Sequence, residues 1–357
     1  MKILLSAFKL SVGNQEYINS LETYLIKKNI DFHVCHENNY RSQNKIEKSI
    51  IGHGMGPFQM MADTLNPLNL FKFFKLTFKK FSHIIFVASH SLNIIQIIIF
   101  RIFNKTKIIS IIHDPLPHSG RWYSFLILIS QRIQVALSDL IVVHGKKLKQ
   151  DLIDYYKVSD KKILNIKLAA SRRERDSFND NLYEKKYFSL VGRIEDYKGV
   201  DIFLKAADVF YKTNPNIKFI IAGKGNMDPY KKLVTKFKTD SLIIKNYQLT
   251  IEELDTILAS SHACVLPYKE GTQTGIIAVS YYNGTPVIVS DVGSLTENVV
   301  KNETGIVIRP NDVNELVSAF EKILHQNKHI MREKSFNYYK KYFRWNIILD
   351  RLLEEIR

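Results

Sequence analysis

Short apolar runs rich in Ile, Val, Leu and Phe recur along the chain, and stretches of helical period separate them. Such a run needs apolar cover on both faces, which a parallel sheet with crossover helices provides. The rhythm occurs twice. In the first half, Lys2–Phe8, Ile30–Cys35, His83–Ala88, Lys107–His113 and Leu140–His144 read as strands. Helices fit Asn14–Lys28, Leu92–Phe103 and Trp122–Leu137. In the second half, strands fit Tyr187–Val191, Lys218–Ala222, Leu242–Lys245, Ala263–Leu266, Val287–Ser290 and Gly305–Ile308. The polar stretch from Ser171 to Lys186, SRRERDSFNDNLYEKK, reads as a linker, and Arg344–Arg357 as an amphipathic helix. The 357 residues suit two domains at about 150 residues each. We therefore expect two doubly wound α/β domains facing a cleft. The segments are 1–170, a linker over 171–186, a second domain over 187–335 and a closing helix over 336–357. Ligands of such sheets bind beyond the strands' carboxyl ends, just after Phe8, His113, Val191, Ala222, Pro267 and Ser290. Capping boxes are expected at Thr250/Glu253, Ser294/Glu297 and Asp312/Glu315.

Cys35 and Cys264 have no metal-type spacing, which argues against a zinc module and for a reducing compartment. No apolar run reaches the roughly 18 residues that span a bilayer. The opening MKILLSAF lacks a cleavage site and reads as a strand. A cytoplasmic protein is expected. Net charge is +16, of which residues 1–170 carry +12 and residues 171–357 carry +4. An anionic membrane, nucleic acid or phosphorylated substrates could answer that charge. No basic–aromatic module of nucleic-acid type is present.

Three elements of the second half carry candidate chemistry. In Gly192-Arg193-Ile194-Glu195-Asp196-Tyr197-Lys198-Gly199, two cations follow a strand and suit a diphosphate, although both also fit a solvated surface. The loop Pro267-Tyr268-Lys269-Glu270-Gly271-Thr272-Gln273-Thr274-Gly275 runs into a helix start, where amides favour phosphate, or forms an ordinary turn. Gly223 lies in a glycine turn, Ala222-Gly223-Lys224-Gly225.

In order and spacing these elements resemble glycosyltransferase family four, the group 1 glycosyltransferases of GT-B fold. GRIEDYKGV looks like the family's donor-phosphate motif, and NGTPVIVSDVGSLTENV and TGIVIRPND resemble its Gly-x-Pro strand and following turn. YFRWNIILDRLL is similar to its closing helix, which crosses back to the first domain. The resemblance implies two Rossmann-like domains, acceptor side first, and a nucleotide-sugar donor. It assigns Arg193, Lys198, Gly223, Gln273, Thr274 and Gly275 to the donor, and Glu270 to the donor sugar. The family's second glutamate, which holds the ribose, falls on Val279. Glu297 could compensate, or could simply cap a helix with Ser294.

In the first half, His113-Asp114 ends a central strand, and the resemblance implies a catalytic or acceptor-side histidine there. Gly13 and Asn14 are placed on the same acceptor side. His144 ends another strand, and His53 lies in the loop Gly52–Pro57. His118 could pair with His113 on a metal, but no third ligand is in sight. No Asp-x-Asp occurs, so no metal and no cofactor are expected. In Asn69–Phe81, Phe71, Phe74, Phe78 and Phe81 share one helical face, expected on the sheet. Lys72, Lys75 and Lys79 share another, expected to meet anionic lipid.

The expected function is a retaining glycosyltransferase that moves a sugar from a nucleotide diphosphate sugar to a saccharide. The acceptor is expected to be lipid-linked, in surface or capsular polysaccharide synthesis at the inner face of the cell membrane. The rivals are a nucleotide-sugar epimerase of the same fold and a non-catalytic carbohydrate- or lipid-binding scaffold.

Overall fold

The computed structural model describes residues 1–8, 12–37, 48–51, 66–115, 124–169, 172, 174–177, 184–238, 240–271 and 273–357. The loop Gly52–Pro57 with His53, His118, Thr272 and part of the linker lie outside the described residues. The chain divides into two compact units, one of residues 1–167 with 348–357 and one of residues 168–347.

The first unit runs β1 (Lys2–Ala7), α1 (Val12–Lys27), β2 (Asp31–Glu37), β3 (Lys48–Ile51), α2 (Pro67–Thr77), β4 (His83–Phe86), α3 (Ser91–Phe103), β5 (Lys107–Ile111), α4 (Ser124–Leu137), β6 (Leu140–Val143), α5 (Lys146–Tyr156) and β7 (Ile163–Asn165). Its strands pair in parallel in the order β3-β2-β1-β4-β5-β6-β7. The order reverses between β1 and β4, which is the switch point where such sheets open a crevice. The short outer strands β3 and β7 were not anticipated. They hold four and three residues and lack a long apolar run.

The helix α2 departs from its expected orientation. Its buried residues are Asn69, Phe73, Leu76 and Thr77, and Phe73 meets Phe8 with ring centroids 6.1 Å apart. The expected Phe face is therefore split: Phe71 and Phe78 are exposed, and Phe81, beyond the helix end, is buried. The reason is steric. Phe73 and Leu76, one turn apart, claim the sheet, so Phe71 must turn outward.

The second unit runs β8 (Tyr187–Val191), α6 (Val200–Thr213), β9 (Lys218–Ala222), α7 (Lys231–Val234), β10 (Leu242–Lys245), α8 (Ile251–Ala259), β11 (Ser261–Leu266), α9 (Ile276–Tyr282), β12 (Val287–Ser290), β13 (Gly305–Ile308), α10 (Val313–His325) and α11 (Lys328–Tyr342). The sheet order is β10-β9-β8-β11-β12-β13, again all parallel, with its switch point between β8 and β11. The core between sheet and helices is aromatic: Phe188, Phe203, Phe210, Phe219 and Phe320 are all buried.

Thr250 and Glu253 form the expected capping box. Asp312 caps α10, but Glu315 turns away to the Arg309 backbone and guanidinium, so that box is half made. The Ser294/Glu297 box is absent. Residues 296–298 form a single 3₁₀ turn, and the buried Ser294 hydroxyl finds no partner among the described residues. No apolar periodic run follows to carry a helix there. The last helix, α12 (Trp345–Ile356), buries Ile348, Leu349, Leu352, Leu353 and Ile356. Its Asp350 accepts from Tyr24 Oη at 2.5 Å and pairs with Lys28 at 2.6 Å, both on or just beyond α1.

Candidate functional site

The two motifs that the resemblance assigns to a donor follow β8 and β11, the strands that flank the switch point of the second sheet. Two unrelated stretches of sequence thus reach one end of one sheet, where ligands of this architecture bind.

Glycines let the turns touch through backbone. Gly199, with φ 70°, ends a 3₁₀ turn over Asp196–Lys198 and precedes α6. A side chain on it would overlap the Pro267 carbonyl. Gly223, with φ 147°, lies so close to Gly192 that a Cβ would collide with its carbonyl. Lys269 fastens the loop after β11 to the turn after β8. Its N–H donates to Tyr197 O at 2.7 Å, and its ammonium lies 3.0 Å from both Asp196 and Asp201.

Inside this frame the two predicted cations differ. Arg193 is 70% exposed in its side chain and lies 3.2 Å from Glu195. Lys198 is only 7% exposed. Its ammonium sits 5.9 Å from the Tyr197 ring centroid and 5.7 Å from that of Tyr268. Among the described residues no ion pair or hydrogen bond is made to it. Burial pushes its pKa down to about 8, against a partial counter-pull from Glu195. It remains mostly protonated at neutral pH, beside two aromatic rings and in the field of Glu195 but in no ion pair among the described residues. The spacing of the motif marked both cations, but only the fold shows that Lys198 is enclosed. Tyr197 and Tyr268 were not singled out, although each is adjacent in sequence to a marked residue.

Beyond β11, Glu270 is exposed, and Gln273, Thr274 and Gly275 are half-buried. Thr274 Oγ1 accepts from the Ile276 N–H at 3.3 Å. The first amide of the seven-residue α9 is therefore already engaged, and the ammonium of Lys198 is the stronger anion-attracting group here. Val279 is buried in the core beneath α9, so it offers nothing to a ribose. Glu297 is half-buried in its 3₁₀ turn, and the capping role that would have accounted for it is gone. The linker arginines are also docked. Arg172 grips Asp255 with both contacts at 3.0 Å, and Arg175 lies 3.9 Å over the Tyr282 ring.

In the first unit, His113 follows β5. Its Nε2 donates to the Val87 carbonyl at 3.0 Å, since a carbonyl can only accept. Its ring stacks on His144 at 5.4 Å, and Tyr17 of α1 meets both rings, at 5.7 Å and 5.5 Å. Burial lowers the pKa of His113, and that of His144 to about 3, so both rings are neutral at physiological pH. Gly13 and Asn14 lie in the first turn of α1, the helix that carries Tyr17. The fold thus gathers the predicted acceptor-side residues around one helix, with Tyr17 as a member that sequence reasoning missed. Among the described residues, no three His, Cys, Asp or Glu side chains converge as a metal site.

Residues 172–342 match the family model for glycosyl transferases group 1. Similar curated proteins include a D-inositol 3-phosphate glycosyltransferase of Corynebacterium aurimucosum, 23% identical over 52% of this chain and 49% of that protein. A glycogen synthase of Mycobacterium tuberculosis is 30% identical over 43% of this chain and 36% of that protein. The chain thus spans half or less of the length of these relatives. Among solved structures, Anabaena HepE in complex with UDP matches with a TM-score of 0.74 at 14% identity, covering 99% of each chain. S. aureus TarM, solved with UDP and alpha-GlcNAc-glycerol, matches with a TM-score of 0.74 at 10% identity, covering 100% of this chain and 99% of that one. These likenesses show the fold, the two-unit α/β architecture known as GT-B. The family match covers the second unit, with its buried lysine at the switch point of the sheet, and that unit is similar to the group 1 glycosyltransferases.

Proposed function

We propose that the protein transfers a sugar from a nucleotide diphosphate sugar to a saccharide carried on a lipid, with retention of configuration. The observation that carries this reading is Lys198, an enclosed ammonium without an anionic partner among the described residues. An unpaired buried charge costs on the order of several kcal/mol, and a bound diphosphate would offset that cost. Arg193, exposed on the same turn, would close over the outer phosphate.

When the bond from the anomeric carbon to the phosphate oxygen breaks, negative charge grows on the leaving diphosphate. Lys198 and Arg193 would stabilise that charge most in the transition state, which is where binding accelerates a reaction. With those two cations, no metal is needed to balance it. Glu270, Gln273, Thr274 and Gly275 would address the sugar. Glu297 would reach the ribose in place of the glutamate that Val279 cannot supply. His113, its Nε2 proton committed to Val87, would use the other face of the ring to orient an acceptor hydroxyl.

HepE has been solved with UDP and with UDP-glucose, which makes uridine diphosphate sugars the first donors to try. The +12 excess of residues 1–170 supports an acceptor at an anionic membrane, on its inner face, where surface polysaccharides are begun.

A thermal-shift screen of nucleotide sugars tests the donor. A ligand at 100 times its Kd adds about 2.7 kcal/mol of stability. Labelled donor is then offered with free and lipid-linked saccharides. Stabilisation by a nucleotide sugar, followed by transfer with the anomeric configuration kept, is expected. No stabilisation by any of them, or an altered nucleotide sugar released without acceptor, would overturn the reading.

A further inference from the structure

Helices α2, α3 and α4 pack side by side on the first sheet. Two of them bury amides beside their apolar core residues and also present isoleucines to solvent. In α3, Asn93 and Gln96 are fully buried while Ile98 and Ile102 face outward, Ile102 at 68% exposure. In α4, Gln131 and Gln134 are buried while Ile129 and Ile133 are exposed. The buried amides bond to one another in part: Gln96 accepts from Ser6 at 2.6 Å, and Gln134 links Asn93 to Ser110 at 3.1 Å and 2.9 Å, while Asn93 Oδ1 and Gln96 Nε2 find no partner among the described residues. A soluble helix normally places its apolar stripe on the core and its polar residues outside. Here, besides the buried Leu92, Ile97, Phe100 and Val135, amides turn inward while further isoleucines face outward.

The helix α2 extends this face. Phe78 is 70% exposed, and the ring of Phe74 joins it to Phe103 of α3, with centroids 5.2 Å and 5.0 Å away. The surroundings are mostly basic, with Asp139 paired to Arg101 at 2.6 Å as an acidic member. Between Asp63 and Asp114 the chain has seven Lys and Arg and no Asp or Glu. Lys75 lies 4.8 Å over the exposed Phe71 ring, its ammonium beside the apolar surface.

We propose that the outer face of α2 and α3, continued by α4, docks on an anionic lipid bilayer, with Phe71, Phe78, Ile102 and Phe103 seated at the headgroup–acyl boundary. The charge selects this occupant. A second copy would bring the same positive field against itself, whereas anionic headgroups complement it. Lysines beside exposed aromatic residues can bind lipid phosphates while the rings enter the apolar layer. This deepens the reading of a lipid-linked acceptor and rests on it only for the purpose of the docking. No described helix is long and apolar enough to cross a membrane, so the attachment is interfacial.

The test is sedimentation with phosphatidylcholine vesicles, with and without phosphatidylglycerol, at low and high salt. Three variants are compared with the wild type: Phe71→Ser with Phe78→Ser, Ile102→Ser with Phe103→Ser, and Lys72→Gln with Lys75→Gln and Lys79→Gln. Thermal melting with UDP serves as the folding control. Binding to anionic vesicles is expected, with a fraction that survives high salt. The lysine variant should lose roughly a hundredfold at low salt, about fivefold per lysine. The apolar variants should lose at least about tenfold and all of the salt-resistant fraction. Unchanged vesicle binding in the apolar variants would overturn the proposal. So would a dimer in solution that those variants dissolve, since the face would then belong to a second copy. Donor turnover onto a water-soluble saccharide, measured alongside, separates the two readings. Turnover without vesicle binding sinks the docking alone, whereas vesicle binding without turnover sinks the transferase reading alone.

Discussion

The two units share a topology and spend their residues in opposite ways. Under the helices of the second sheet the core is aromatic, with Phe188 and Phe320 centroids 4.4 Å apart. Its turns meet backbone to backbone at Gly199 and Gly223, and a buried lysine without an ion pair among the described residues stands at the switch point. The first unit buries a chain of amides and hydroxyls under α3 and α4 and leaves apolar side chains outside. One unit packs its turns closely around a buried lysine. The other turns part of its apolar surface outward, at Phe78, Ile102 and Phe103. A site for a constant chemical group tolerates little variation, whereas a surface for a variable acceptor or a membrane can be built from any scaffold that keeps its sheet.

That contrast can be broken at several points. The largest effect is expected from Gly199→Ala. The left-handed backbone and the overlap with Pro267 together should cost about 3 kcal/mol or more, read from urea denaturation, because the carbonyl cannot move aside. A loss under about 1 kcal/mol would show that these turns are looser than described.

Next comes Lys198→Met. Donor nucleotide affinity should fall by about 1.5–3 kcal/mol, while the unliganded protein becomes more stable because a buried charge is gone. The sign with pH follows from its lowered pKa. Above about pH 8 the folded protein releases this proton while the unfolded chain keeps it to about 10.5, so stability of the unliganded protein rises across that window. Affinity for the donor runs the other way, falling as pH rises through about 8. Calorimetric titration of UDP from pH 6 to 10 should show the fall in the wild type and its absence in Lys198→Met.

In the first unit, Gln134→Leu should destabilise by about 1–3 kcal/mol by removing one bond each from the buried Asn93 and Ser110, with little change in donor affinity. Loss of UDP binding in this variant would mean that the units are not energetically separate. The smallest effect is expected from chelation: transfer in EDTA should equal transfer without it. Loss of transfer that magnesium or manganese restores would show that Lys198 and Arg193 do not suffice for the diphosphate.

Much of this was legible in the sequence. All six strands of the second sheet lie where apolar runs placed them, with only β11 starting earlier, at Ser261. Buried parallel strands advertise themselves by unbroken hydrophobicity, whereas outer strands such as β3 and β7 are too short to do so. Helix faces were harder. Phe71, Phe74 and Phe78 make a fair apolar stripe, but so do Phe73 and Leu76, and periodicity cannot rank two stripes on one helix. The Ser294/Glu297 pattern matched a capping box with no helix behind it. In the site, motif spacing located Arg193 and Lys198 together. Their different environments depend on Tyr268, seventy residues away in sequence from Lys198, and no local pattern encodes such a meeting.

The last helix has a consequence for how the chain is made. The first unit is complete only when Ile348–Ile356 reaches it, with Leu349 and Leu352 filling apolar space and Asp350 receiving Tyr24 and Lys28. Between Lys167 and that helix the ribosome must add the whole run from Leu168 to Ile347. At about 5–20 residues per second this takes roughly 10–40 s. For that time the first unit waits with a seam open, until Ile348–Ile356 follows and closes it. Chaperone demand should therefore peak while the second unit is being translated.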